Sequence, residues 1–259
     1  LLWKTENMHD VDTAREIEYP RTHAAILGAG PGCCRSPKRW LTRDPGARGS
    51  VWKTPSRALS LLVACFMITV AGCGDTGKDY YAQGVAKTKS GDFDGALRDL
   101  DKSIELIPDN AAAYFARGFA KKSKGDFEGA IADYSKAIVL KSGYFEAYDN
   151  RGVIKAALGD AKGAIADFDD SIGFNPTNPK AYSNRGAAKF SQGDVDGALA
   201  DDDKAVQLSP TAFQPYINRG MVENKLGDAS GSKADFSKAI ALNPGARALI
   251  EAQGYSIAP

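Results

Sequence analysis

The stretch AYDNRGVIKAALGDAKGAIADFDDSIGFNP, from Ala147, lies over AYSNRGAAKFSQGDVDGALADDDKAVQLSP, from Ala181, without a gap. The offset is 34 residues, and the same frame fits five times, over 77–110, 111–144, 145–178, 179–212 and 213–246. A period of this length is built from one small supersecondary unit that buries its apolar face only against its neighbours. The fourth place is Tyr80, Tyr114, Tyr148, Tyr182 and Tyr216, and the eighth is Gly84, Gly118, Gly152, Gly186 and Gly220. A second glycine, each time followed by Asp, recurs at Gly91, Gly125, Gly159, Gly193 and Gly227. Pro108, Pro176, Pro210 and Pro244 close the units, with Ser142 at that place in the second.

Each unit reads as helix, turn, helix. The Gly-Asp pair suits a left-handed helix end followed at once by an N-cap. The closing proline stands where a helix must stop. The eighth-place glycine falls inside the first helix, where it costs roughly 1 kcal/mol against alanine. A cost taken at the same place in all five units predicts that two helices approach closely there. Ile131, Tyr134, Ala137, Ile138 and Leu140 fall at helical spacing on the second helix.

On these residues the chain resembles the tetratricopeptide repeat family over 77–246. The resemblance implies an all-α fold: a right-handed superhelical solenoid of five helix-turn-helix repeats. Residues 247–259 start a further first helix, with Gly254 at its eighth place, and read as a capping helix over the open last unit. The resemblance further implies a concave face, lined by the first helices, that binds a peptide or protein segment. Three places depart from the usual family pattern. The seventh is Arg117, Arg151, Arg185 and Arg219, and the eleventh is Lys87, Lys121, Lys155 and Lys189. Asp202 stands where the other units carry Leu100, Tyr134, Phe168 and Phe236, and an unpaired carboxylate buried there weakens packing.

Ahead of the repeats, Lys53 and Arg57 flank an apolar run from Ala58 to Gly74. The run is short for a membrane span, which needs about 20 residues, and suits the core of a signal peptide. It contains Val70-Ala71-Gly72-Cys73, which resembles a bacterial lipobox. That resemblance implies cleavage before Cys73 and a diacylglycerol on its sulfur. With a chain opening on Leu1, Val51 is a candidate start in the cell beside Leu1 itself. Residues 51–72 are then the signal, 73–76 a short tether, and 1–50 an upstream stretch absent from the protein or a disordered extension. The expected location is the bacterial envelope, with the outer membrane facing the periplasm favoured because Gly74 follows the cysteine.

Charge and rare residues divide at the same point. The first 72 residues hold 10 of the 33 Lys/Arg and 6 of the 32 Asp/Glu, so the remainder is mildly acidic. Nothing there attracts nucleic acid. His9, His23 and all three tryptophans precede Cys73, and no histidine or cysteine follows it. The repeats therefore offer no imidazole or thiol, and the sequence suggests no catalytic site, metal or cofactor. A loose calcium-loop pattern at Asp92, Asp94, Gly95 and Asp101 is explained by the repeat frame. The glycine-rich run Gly28-Ala29-Gly30 lacks the third glycine of a dinucleotide loop, having Cys33 instead.

The family geometry points the second, fifth, sixth and ninth places of each first helix into the groove. The expected partner-binding residues are Asn150, Asn184 and Asn218, a ladder of amides that can grip a peptide backbone, with Tyr81, Phe115, Phe119 and Lys180. The arginine row and the row Asp99, Asp133, Asp167, Asp201 and Asp235 read either as an ion-pair ladder between facing helices or as an anion site. The function expected is a non-enzymatic, lipid-anchored interaction scaffold. The alternatives are a self-associating array and an accessory domain of an envelope enzyme complex.

Overall fold

The computed structural model describes residues 75–256. The expected signal peptide, Cys73 and residues 1–50 lie outside them. The described residues form eleven helices and no strand. They are α1 (Gly77–Ser90), α2 (Phe93–Leu106), α3 (Ala111–Ser123), α4 (Phe127–Leu140), α5 (Phe145–Ala157), α6 (Ala161–Phe174), α7 (Pro179–Ser191), α8 (Val195–Leu208), α9 (Phe213–Leu226), α10 (Ala229–Leu242) and α11 (Ala246–Ala252). None is long and apolar enough to cross a membrane. Ten of them pair as the 34-residue frame requires.

The Gly-Asp turn does two jobs. Gly91 adopts φ +82°, a left-handed conformation that suits glycine, and the next N–H, of Asp92, donates to the Lys87 carbonyl at 3.0 Å. The Asp92 carboxylate then accepts from the Gly95 N–H at 2.9 Å and caps α2. Asp126, Asp160, Asp194 and Asp228 repeat this for α4, α6, α8 and α10. Thr76, in the expected tether, is already the capping residue of α1.

The eighth-place glycines sit against the second helix of their own pair. A methyl group on Gly84 would come within 2.6 Å of Leu100, and one on Gly152 within 2.8 Å of Phe168. Leu100, Tyr134 and Phe168 are fully buried, as are the small residues Ala96, Ala130 and Ala164 one turn earlier. Close approach and a large plug thus define the centre of each pair. In the fourth pair the plug is Asp202, also fully buried.

At the C-terminal end, Ala246 and Ile250 of α11 are buried against Tyr216, Ile217, Phe236 and Ala239. The Tyr255 ring tilts onto Phe236 at 5.3 Å. This short helix covers the last pair, as a terminal unit must if its apolar face is not to meet water.

Candidate concave binding face

The first helices α1, α3, α5, α7, α9 and α11 touch one another in series. Each internal second helix packs on the first helices at either side. Closer spacing among the first helices makes theirs the inner, concave side.

An ion-pair ladder holds the pairs together. The Arg117 guanidinium donates to both carboxylate oxygens of Asp133, from Nε at 2.8 Å and Nη2 at 2.6 Å. Its Nη1 reaches back to Asp101 of the preceding pair at 2.7 Å. Arg185 does the same with Asp201 and Asp169, and Arg219 with Asp235 and Asp203. Arg151 grips Asp167 but finds Ser135, at 2.9 Å, where the others find a carboxylate. Lys121, Lys155 and Lys189 each add a contact of 2.8 Å to the aspartate of their own pair. Each arginine also lies over the tyrosine three residues earlier, as Arg117 does over Tyr114 at 5.4 Å. The hydrogen bonds to Asp133 hold the Arg117 proton more tightly than usual against the opposing effect of burial. The arginine forks are filled by the protein's own carboxylates, and in Arg151 by Asp167 and the Ser135 hydroxyl, so the anion-site reading has no geometric support. The bridge from one pair to the next was not read from the sequence, although Asp101, Asp169 and Asp203 share one place in the period.

The ladder is cut off at the first unit. There the arginine place holds Gln83, whose amide reaches Asp75 at 3.3 Å. No preceding pair exists among the described residues for an arginine to grip.

The expected groove residues separate into two groups. Phe115 and Phe119 are 5% and 4% exposed, which corrects the expectation that they face a ligand. Phe115 stacks on Tyr144 at 4.9 Å and tilts against Tyr134 at 5.5 Å, inside the packing. The Lys122 ammonium lies over the Phe119 ring at 5.1 Å. Asn218 is 7% exposed and committed: its amide donates to the Ser183 carbonyl and Oγ at 3.3 and 3.0 Å, and its oxygen accepts from Gln214. It links α9 to α7 rather than standing open in a groove.

The other four are less deeply buried. Tyr81 packs half-buried on Ala96, Leu100, Ala116 and Ala120, and burial pushes its hydroxyl up to about 12. Asn150 accepts from Lys122 at 3.0 Å and donates to the Glu146 carbonyl at 2.9 Å. Lys180 is exposed at the start of α7. Asn184 is half-buried, and its side chain makes no hydrogen bond among the described residues. Its counterpart in the Lys122–Asn150 link is Ala156, which has nothing to donate.

Two groove carboxylates were not singled out from the sequence. Glu146 and Asp149 occupy the second and fifth places of α5, so the frame already marked their positions. Asp149 accepts from the Asn178 amide, while its second oxygen and Oε2 of Glu146 have no hydrogen-bond partner. Burial raises Asp149 to about 6, with Glu146 adding repulsion while the Ser171 and Asn178 side chains oppose the rise. Burial also raises Glu146. Among the described residues no group of His, Cys, Asp and Glu could hold a metal ion.

Comparison with known proteins gives a consistent result. Family profiles described as TPR repeat match residues 77–125 and 120–159, and profiles described as tetratricopeptide repeat match 150–213 and 213–245. No curated protein sequence matches the chain. Among solved structures, the crystal structure of MamA protein is 24% identical with a TM-score of 0.58, over 71% of this chain and 98% of that one. MamA 41-end from Desulfovibrio magneticus RS-1 is 21% identical with a TM-score of 0.60, over 66% and 97%. YrrB, described as a TPR protein with an unusual peptide-binding site, is 18% identical with a TM-score of 0.58, over 73% and 98%. These likenesses are likenesses of fold. With the profiles running from residue 77 to 245 and the helix pairs in the same frame, the chain belongs to the tetratricopeptide repeat family.

Proposed function

We propose that the protein is a lipid-anchored interaction scaffold of the bacterial cell envelope, which holds a peptide or protein segment on the concave face of its repeats. The observation that carries the binding part is Asn184. It lies in the first-helix layer between two asparagines that are already bonded, and its own amide is unmet. A side-chain amide both donates and accepts, so it can pair with a ligand backbone without reading its sequence. YrrB, with the same fold, is described as having a peptide-binding site, which supports this choice of ligand. The anchoring part rests on the sequence around Cys73. With Thr76 already capping α1, three to four residues at about 3.5 Å each would hold the array within roughly 15 Å of a bilayer. Anchoring that is stable needs at least two acyl chains, since one gives only marginal binding.

Two measurements test the two parts separately. Labelled palmitate fed to expressing bacteria should enter the protein and be lost in Cys73→Ser; equal labelling, or none in either, removes the anchor. Peptides selected by display against the full chain should bind Asn184→Ala at least tenfold more weakly, a loss of about 1.4 kcal/mol. Unchanged affinity in a variant of equal helicity moves the site elsewhere.

A further inference from the structure

Asp202 is the least compatible residue in the array with its surroundings. It stands at the middle of α8, fully buried, and both carboxylate oxygens lack a hydrogen-bond partner. It faces Gly186 of α7, whose added methyl would lie 3.1 Å from its Oδ1. The cations nearby are spent. On α7, Arg185 and Lys189 are held by Asp201. On α9, Arg219 is held by Asp235 and Asp203, and the Asn218 amide donates to Ser183. Glu223 on α9 is itself shifted upward by burial and by Asp235, so it offers no countercharge. On α8 itself, Asp201 and Asp203 flank the site with like charge. A charged carboxylate left unpaired in such a place is far more costly than a neutral acid.

We infer that the α7–α8 pair is a proton-controlled joint of the array, closed when Asp202 carries a proton and prised open when it ionises. Burial, and then the charges of Asp201 and Asp203, push the Asp202 carboxyl well above its ordinary range, against the weaker pulls of Arg219 and the nearby Asn218 amide. The sign follows from linkage. A carboxyl raised in the folded state stabilises the fold fully below its unfolded value, near 3.8, and that contribution is lost as pH rises through its folded value. Local opening at α7–α8 therefore grows with pH; in α5–α6 the plug is Phe168, and only Asp149 and Glu146, on the groove side of α5, add a smaller change of the same sign. The concave face runs through α7, so the joint sets how rigidly Ser183 and Asn184 are presented.

Amide hydrogen exchange of the full chain at pH 5 and pH 8, corrected for intrinsic rates, tests this. The result expected is protection of α7 and α8 at least tenfold lower at pH 8 than at pH 5 in the wild type. In Asp202→Asn that difference disappears, and in Asp202→Leu protection at pH 8 rises at least tenfold. Leu100 fills the same place in the first pair, so leucine is sterically suited there. If Asp202→Leu does not fold, the Asn variant decides. Equal corrected protection at the two pH values, or a pH dependence that survives in Asp202→Asn, overturns the inference.

Discussion

The α5–α6 and α7–α8 pairs carry the same scaffold around two different centres. Both have the left-handed glycine and the capping aspartate at the turn, at Gly159-Asp160 and Gly193-Asp194. Both have an arginine gripping an aspartate through two hydrogen bonds, and a lysine on the same carboxylate. At the centre one has Phe168 and the other Asp202. The helices pair in the same way in both. Turn chemistry, small-residue contact and the ladder therefore specify the pairing, and the plug adjusts how firmly it holds. An array in which each unit is braced on both sides tolerates one weak centre.

The comparison is broken most severely by moving the weak centre. Phe168→Asp should destabilise the chain by about 4 kcal/mol at pH 7, because it loses a buried ring and gains an unpaired carboxylate. Urea unfolding checks this, and a loss under about 1 kcal/mol would mean the plug matters little in either pair. The ladder comes next. Arg185→Ala strands Asp201, which is only 4% exposed, and should cost about 3 kcal/mol, reduced by whatever Lys189 can still neutralise. Arg151→Ala should cost less, since Arg151 meets Ser135 where Arg185 meets Asp169. Equal losses would show that the bridge to the preceding pair adds nothing.

A smaller effect sharpens the contrast from the groove side. Asp149 has a folded value of about 6 against 3.8, so it favours folding at low pH and that benefit fades as pH rises from 3.8 to 6. Asp149→Asn should therefore gain on the wild type by at least about 1 kcal/mol between pH 4 and pH 7, a figure discounted because the side chain is not wholly shut off from solvent. A constant gap in the urea midpoint across that range contradicts the assignment.

The fold was legible because the repeat prints its own rules five times. Gly-Asp gave the turn, the eighth-place glycine gave the close contact, and proline gave the end of four of the five second helices. The Asp202 anomaly was legible for the same reason, as the one polar residue in an apolar column. The groove was only partly so. A register place gives the direction of a side chain but not what its neighbour leaves uncovered. Phe115 points inward along the array and is then covered by Tyr144. Asn218 is consumed because the fifth place of α7 is Ser183, small enough to let the amide reach its backbone carbonyl. At the same place α5 has Asp149, and there the neighbouring Asn184 stays unbonded. These outcomes depend on pairs of places in successive units, which no single register place encodes.

The most direct test of the binding face is site-specific photocrosslinking of the full chain in the cell that makes it. A photoreactive residue is placed at Asn184, on the concave layer, or at Lys238, exposed on the second helix α10. Position 184 is expected to give a discrete adduct and position 238 none. An adduct from 238 alone, or the same adduct from both, would contradict binding on the concave layer.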